Sequence, residues 1–322
     1  MKTAALVLLM ACPCARVLSQ PNYFEGDIQY HVSVKSTVPA LSDMDARKIL
    51  AEGEVLTVSF KNGSYKRSSA LQDEYYIGKE QKVYIKFRKI DTLYYMDYSA
   101  DSTVLSGVTR SDSIFTIDHH ACKVITITSS TGATRYYYAP DLLNDPTYSA
   151  TDKIGLFNVY TRETGGAIYL WAHREFAIAA TTDSCIRIEP KKLDDHLLDP
   201  PHLPVKKFDI ASLLVPARYP GNANAWLRYL EANLDSKMAG KYVRLSKGQQ
   251  EASVTVFVAF KVSENGTISD IMIVNRNDVH PKLAAEAERV IRESPRWQPA
   301  LIYGEKVSYP VRQPIVFKVT KE

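Results

Sequence analysis

Ser253-Val254-Thr255-Val256-Phe257-Val258-Ala259-Phe260-Lys261-Val262, then Ser263-Glu264-Asn265-Gly266-Thr267, then Ile268-Ser269-Asp270-Ile271-Met272-Ile273-Val274, decides the fold of the last third of the chain. Val254, Val256, Val258, Phe260 and Val262 take every second position, so they share one face of a strand with period two. Asn265-Gly266 stands where the chain must reverse and tolerates the positive φ angles of a tight hairpin turn. Downstream, Asp278-Val279-His280-Pro281 puts a proline in the first turn of a helix whose stripe is Leu283, Ala287, Val290 and Ile291, stopped at Ser294-Pro295. Trp297-Gln298-Pro299-Ala300 leads to a turn at Tyr303-Gly304. A last strand runs from about Lys306 to Val319, and Pro310 and Pro314 suit it to a sheet edge. Upstream, Tyr219-Pro220-Gly221-Asn222 opens onto a helix over Ala223 to Leu234, with Trp226, Leu227, Leu230 and Leu234 on one face and Asn222 or Asn224 as its cap.

This order of helix, hairpin, helix and long final strand resembles the C-terminal domain of TonB, the periplasmic arm of the energy-transducing system of diderm bacteria. The residues that carry the resemblance are Tyr219-Pro220-Gly221, Val254 to Val262, Asn265-Gly266-Thr267-Ile268, Trp297-Gln298-Pro299-Ala300 and Pro314-Ile315-Val316-Phe317, in the family's order over about 219 to 320. It implies a small α/β sandwich that grips an outer-membrane receptor peptide by strand addition. The matching positions are Tyr309, Val311, Gln313, Ile315, Phe317 and Val319. Physically, a proline-broken edge offers backbone N–H and C=O groups to an extended partner. The alternative is an edge that stays solvated or pairs within a homodimer. Two departures stand out. A β-rich region replaces the family's N-terminal anchor and Pro-rich spacer, and Asp235-Ser236-Lys237-Met238 stands where the family has a Tyr-Pro pair.

With 322 residues, 45% hydrophobic and 24% charged, the chain is long enough for two cores. Its net charge of +4 balances 40 basic against 36 acidic residues without a dense basic run, which argues against a nucleic-acid partner. Lys2 and the apolar run Ala4 to Ala11 read as a secretory signal peptide cleaved after Ser19. A rival reading takes Leu9-Met10-Ala11-Cys12 as a lipobox, which would tether the protein to a membrane through a lipid on Cys12. No later stretch is long and apolar enough for a transmembrane helix. Export leaves Cys122 and Cys185 in an oxidising compartment, where a disulfide between them would contribute about 4 kcal/mol in the chain-entropy model; the alternative is two separate buried thiols.

From Tyr23 to about Pro204 short strands succeed one another: Gly26 to Val34, Glu54 to Phe60, Ser64 to Ala70, Lys82 to Arg88, Thr92 to Tyr98, Ile114 to Ile117, Cys122 to Thr128, Thr134 to Ala139, Ile168 to His173 and Glu175 to Pro190. Met44 to Leu50 reads as a weak helix or loop. So many short strands imply an antiparallel sheet that curls on itself. Cys122-Lys123, Tyr136-Tyr137-Tyr138-Ala139-Pro140-Asp141 and Ile188-Glu189-Pro190-Lys191-Lys192-Leu193-Asp194-Asp195 resemble the GLPGLI family of secreted proteins, related to the half-barrels of lipoprotein carriers. The signature hexapeptide is absent, with only Ile154-Gly155-Leu156-Phe157 near its place. That resemblance implies a curved sheet with an apolar concavity. Asp199-Pro200-Pro201-His202-Leu203-Pro204 marks the boundary, because three prolines favour an extended spacer.

Asp118-His119-His120 tempts as a metal motif, but successive strand residues alternate faces and cannot share one ion, so a solvated turn is expected; Asp194-Asp195-His196 reads the same way. No Gly-x-Ser-x-Gly turn, phosphate loop or cofactor motif is present, so neither an enzyme nor a cofactor is expected. Tyr136, Tyr137 and Tyr138 read as packing residues. The sequence thus reads as α+β: signal peptide 1–19, curved antiparallel β domain 20–199, Pro-containing linker 200–218 and TonB-like domain 219–322. The expected function is a non-enzymatic periplasmic protein that docks an outer-membrane transport partner. The alternative is a lipid or lipoprotein carrier that uses an apolar half-barrel cavity, with the last domain as docking module.

Overall fold

The protein is described as a computed structural model over residues 22–39, 41–98, 101–222 and 224–321. The signal peptide expected at 1–19, with Cys12, lies outside the described residues. Strands β1 (Gly26–Ser36), β2 (Val55–Lys61), β3 (Ser64–Ser68), β4 (Gln72–Ile77), β5 (Lys82–Phe87), β6 (Leu93–Asp97), β7 (Leu105–Ile117), β8 (His120–Ser129), β9 (Gly132–Leu143), β10 (Ala167–Glu175), β11 (Ala179–Pro190) and β12 (Val205–Lys207) form one sheet. Its order is β12-β6-β5-β4-β3-β2-β1-β11-β10-β9-β8-β7. All pairings are antiparallel except the parallel β12–β6 edge, and β1 joins the two runs of hairpins by pairing with the distant β11. Alternation along β1 explains its central place: Ile28, Tyr30, Val32 and Val34 are buried, with residues of opposite parity more exposed.

The sheet curls strongly. Tyr65 on β3 meets Phe157 at the start of a helix that packs beneath β9 and β10, although β3 and β9 stand five places apart in the sheet. Among the described residues four α-helices accompany this part: α1 (Asp43–Ile49), α2 (Pro146–Ser149), α3 (Phe157–Thr164) and α4 (Ile210–Leu213). The helix α1 stands where a weak helix or loop was expected, with Ser42 capping it by accepting from the Asp45 N–H. Strand β4 and helix α3 go unannounced in the sequence. The Asp73-Glu74 pair interrupts the apolar alternation of β4, and α3 is only eight residues long.

Residues 200–218 do not form an extended spacer. Strand β12 adds to β6, α4 buries Leu213, and β13 (Leu214–Val215) pairs with β16 (Ala300–Ile302), which turns into β17 (Glu305–Val307). Prolines end the segment's ladders without keeping it off the surface.

In the last third, β14 (Glu251–Val262) lies between β15 (Ile268–Ile273) and β18 (Tyr309–Thr320). Val256, Val258, Phe260 and Val262 are buried against α7 (Pro281–Arg292), whose Leu283, Ala287, Val290 and Ile291 are also buried. Helix α5 (Ala225–Asn233) packs Trp226 and Leu230 onto this core, but Leu227, expected on the same face, is 57% exposed. A further short helix, α6 (Ser236–Tyr242), begins at Asp235, which accepts from the Lys237 N–H. The whole is α+β, with a large curved sheet followed by a small α/β sandwich.

Candidate functional site

Two places have the geometry of a site. The first is the outer edge of β18, which pairs with β14 over twelve residues without a bulge, from Val262 opposite Tyr309 to Glu251 opposite Thr320. Opposite Pro314 stands Phe257. Its N–H donates to Asn275 Oδ1 (2.9 Å) and its carbonyl accepts from the Val274 N–H (2.8 Å), so both backbone groups turn away from β18. Phe257 and Pro314 are therefore a non-hydrogen-bonded pair. Backbone groups alternate along an antiparallel ladder, so Pro310, Arg312, Pro314, Val316, Lys318 and Thr320 direct theirs to the outer side. Among the described residues no strand pairs there.

The positions expected from sequence fall on the other parity. Tyr309, Val311, Gln313, Ile315, Phe317 and Val319 spend their backbone groups on β14; Val311, Ile315, Phe317 and Val319 belong to or pack on the core beneath the helices, and Tyr309 packs on the core of the first sheet. The two sets differ by one residue in register, the step by which a strand exchanges its two faces. Pro310 and Pro314 lack the N–H and so blunt the first half of the edge. Val316, Lys318 and Thr320 keep outward donors in an unbroken run, and their side chains are exposed. Arg312 lies over the Phe257 ring at 4.4 Å, packing on the open face of the sheet.

The hairpin that supports this edge is locked by the Trp297 segment. The Trp297 N–H donates to the Gly266 carbonyl (2.9 Å), and the Gln298 and Arg218 backbones exchange bonds of 2.8 and 3.1 Å. Trp297 packs edge-on against Phe260, Trp226 and Tyr219. These dispersed residues thus form one structural joint.

Residues 248–319 match the family described as Gram-negative bacterial TonB protein C-terminal. The matched span runs from just before β14 to the end of β18, and holds the hairpin, α7 and the outer edge of this TonB-like domain. No curated protein matches the chain. Two structures of PNGF-II, in space groups P21 and C2, show TM-scores of 0.34 and 0.33 at 8% and 10% identity, over 75% and 74% of this chain. The chain spans 45% and 44% of those proteins.

The second place is a concavity of about 250 Å³ inside the curved sheet, lined from β2, β3 and β4 on one flank and from β9 and β10 on the other. Most of its lining is apolar, with Val58, Phe60, Ile154 and Phe157 in the wall, and charged groups are set into it. Its walls carry Arg67, Arg174, Glu52, Asp152 and Glu175 beside Tyr65, Tyr136 and Tyr169. Arg67 Nη1 donates to Glu74 Oε2 at 2.7 Å, and Arg174 donates to Asp183 Oδ2 at 2.7 Å and to the Tyr169 hydroxyl at 3.0 Å. Burial raises the Glu52 carboxyl above its ordinary range and pushes Asp152 up to about 7.

Of the remaining expectations, Cys122 and Cys185 are both free thiols, so the disulfide is not formed. Burial raises both thiols, and Cys185 reaches about 11, which keeps them protonated and poorly reactive. Asp118 and His119 make the positive-φ turn between β7 and β8, and His120 Nδ1 lies 2.8 Å from Asp141. Tyr136 and Tyr138 are buried against α3, while Tyr137 contacts Phe115 and Trp171 on the opposite face.

Proposed function

We propose that the protein is a non-enzymatic periplasmic component of the Gram-negative envelope, whose TonB-like domain docks an extended segment of an outer-membrane transport protein. The single observation that carries this reading is a twelve-residue strand that, among the described residues, is bonded on one side only, with consecutive outward donors at Val316, Lys318 and Thr320. An incoming strand there gains main-chain hydrogen bonds, and the exposed Val316 side chain offers an apolar contact. The match of residues 248–319 to the TonB C-terminal family supports the partner class. The proposed role is docking within the periplasm.

Site-specific photocrosslinking on the full chain tests it. A crosslinker replacing Val316 or Thr320 should capture peptides from receptor N-terminal segments, whereas one replacing Leu105 on the distant edge strand β7 should not. Absence of capture from either β18 position contradicts the proposal. Recovery of the chain from osmotic-shock fractions, with residue 20 as the new N-terminus, checks the exported location.

A further inference from the structure

The first sheet ends in an edge that docking at β18 leaves unused. Among the described residues β7 is bonded on one side only, to β8, and it is exposed along most of its length. Residues 105–117 contain neither proline nor lysine, two common means of keeping an edge from pairing. They hold large apolar side chains in the open: Ile114 is 66% exposed and Phe115 42%.

The sequence of this strand is matched about its own middle, Ser111. In an antiparallel pairing of two copies related by a two-fold axis there, Arg110 meets Asp112 of the second copy, Thr109 meets Ser113, Val108 meets Ile114 and Gly107 meets Phe115. Each match occurs twice, so charge faces opposite charge, hydroxyl faces hydroxyl and apolar faces apolar. Two observations within one chain favour this occupant. The β7–β8 register jumps from Ser111 opposite Val124 to Phe115 opposite Cys122, which leaves residues 112–114 without counterparts on β8. Among the described residues Asp112 has no ion pair, whereas Arg110 holds Glu163 of α3. The three residues left over are those that complement Val108, Thr109 and Arg110. Gly107 follows a bulge in the same register, but its φ lies outside the left-handed region and a Cβ there would meet nothing within 4 Å. Neither backbone nor crowding in a single chain therefore requires glycine. A strand glycine leaves room for a close neighbour, and the Phe115 ring of a second copy would lie over it.

We infer that β7 is a self-association edge, at which a second copy of this chain adds antiparallel about a two-fold axis through Ser111 and joins the two large sheets into one. It is independent of the β18 edge. Sedimentation equilibrium of the full chain tests it. One strand pair is a small interface, so a reversible dimer in the micromolar range is expected. Under mild oxidation Ser111→Cys should give a disulfide-linked dimer that neither the parent chain nor Leu105→Cys gives. The two Ser111 Cα atoms would lie about 4.5–5.5 Å apart, within disulfide reach. The two Leu105 positions would lie about 40 Å apart. Arg110→Asp and Asp112→Arg should each weaken association by about tenfold, and the double variant should return to within about threefold of the parent. Loss of the Glu163 contact alone would give no such recovery. A chain still monomeric at about 1 mM overturns the inference and leaves the edge to a foreign strand. Crosslinking of Leu105→Cys as readily as Ser111→Cys overturns it as well, and so does a double variant that associates no more tightly than the single ones.

Discussion

Gly266 holds the hairpin turn at φ +81°, and a Cβ there would stand 2.1 Å from the Trp297 carbonyl oxygen. Left-handed backbone costs an ordinary residue about 1–2 kcal/mol, and the clash adds to it, so Gly266→Ala should lose at least about 3 kcal/mol in denaturant unfolding. A change under about 1 kcal/mol would show that the turn and the Trp297 joint are not coupled. Asp152 gives a pH-dependent case. Its folded value of about 7 exceeds that of an unfolded aspartate, so its favourable contribution is present at low pH and is lost as pH rises through about 7. Asp152→Asn keeps the acceptor for the Ile154 N–H and should therefore stabilise the protein by about 2–4 kcal/mol at pH 8 and by little at pH 4. Thermal melts across that range check the sign. Asn265-Gly266 was legible because turn chemistry is local. Residues 52, 67, 152 and 174 carry no shared spacing, and only the curl of the sheet brings them together.

At the scale of elements, period and punctuation were readable where apolar residues repeat strictly, as in β1, β14 and α7, and obscure where charge or shortness hides them, as in β4, α3 and α6. The final strand shows a subtler limit. Its place at an edge follows from Pro310 and Pro314, but which parity faces outward depends on the backbone bonds of Phe257 across the ladder. The six positions first assigned to partner binding are consequently those that hold β18 to β14. Val316→Pro should remove an outward donor without touching that ladder. We expect peptide capture to fall by at least about fivefold and stability to change by less than about 1 kcal/mol. Ile315→Ala, by contrast, empties a fully buried core position and should cost about 2–5 kcal/mol.

In the whole molecule the two cores are not separate beads on a spacer. The β16–β17 hairpin leaves the TonB-like domain and packs on the first sheet, where Tyr303 stacks on Phe87 with centroids 4.2 Å apart and planes 2° from parallel. Lys89 pairs with Glu305 at 2.7 Å, Lys48 with Glu264 at 2.7 Å, and Asp45 Oδ1 accepts from the Ser308 N–H at 3.0 Å. The prolines of 200–204 marked a change of composition, but nothing in them announced that later residues would return across it. Tyr303→Ala should cost about 3–5 kcal/mol and divide one calorimetric transition into two; a single unshifted transition would show that the hairpin contributes nothing to the coupling. This joint also fixes the start of β18, since Ser308 immediately precedes it. The central claim, that the outer edge of β18 receives an extended segment, is tested most directly by backbone amide NMR of the full chain titrated with a receptor N-terminal peptide. Saturable shifts centred on the Val316, Lys318 and Thr320 amides, larger than those of Ile315, Phe317 and Val319, are the predicted result; amides of this strand that stay unmoved at saturating peptide would contradict it.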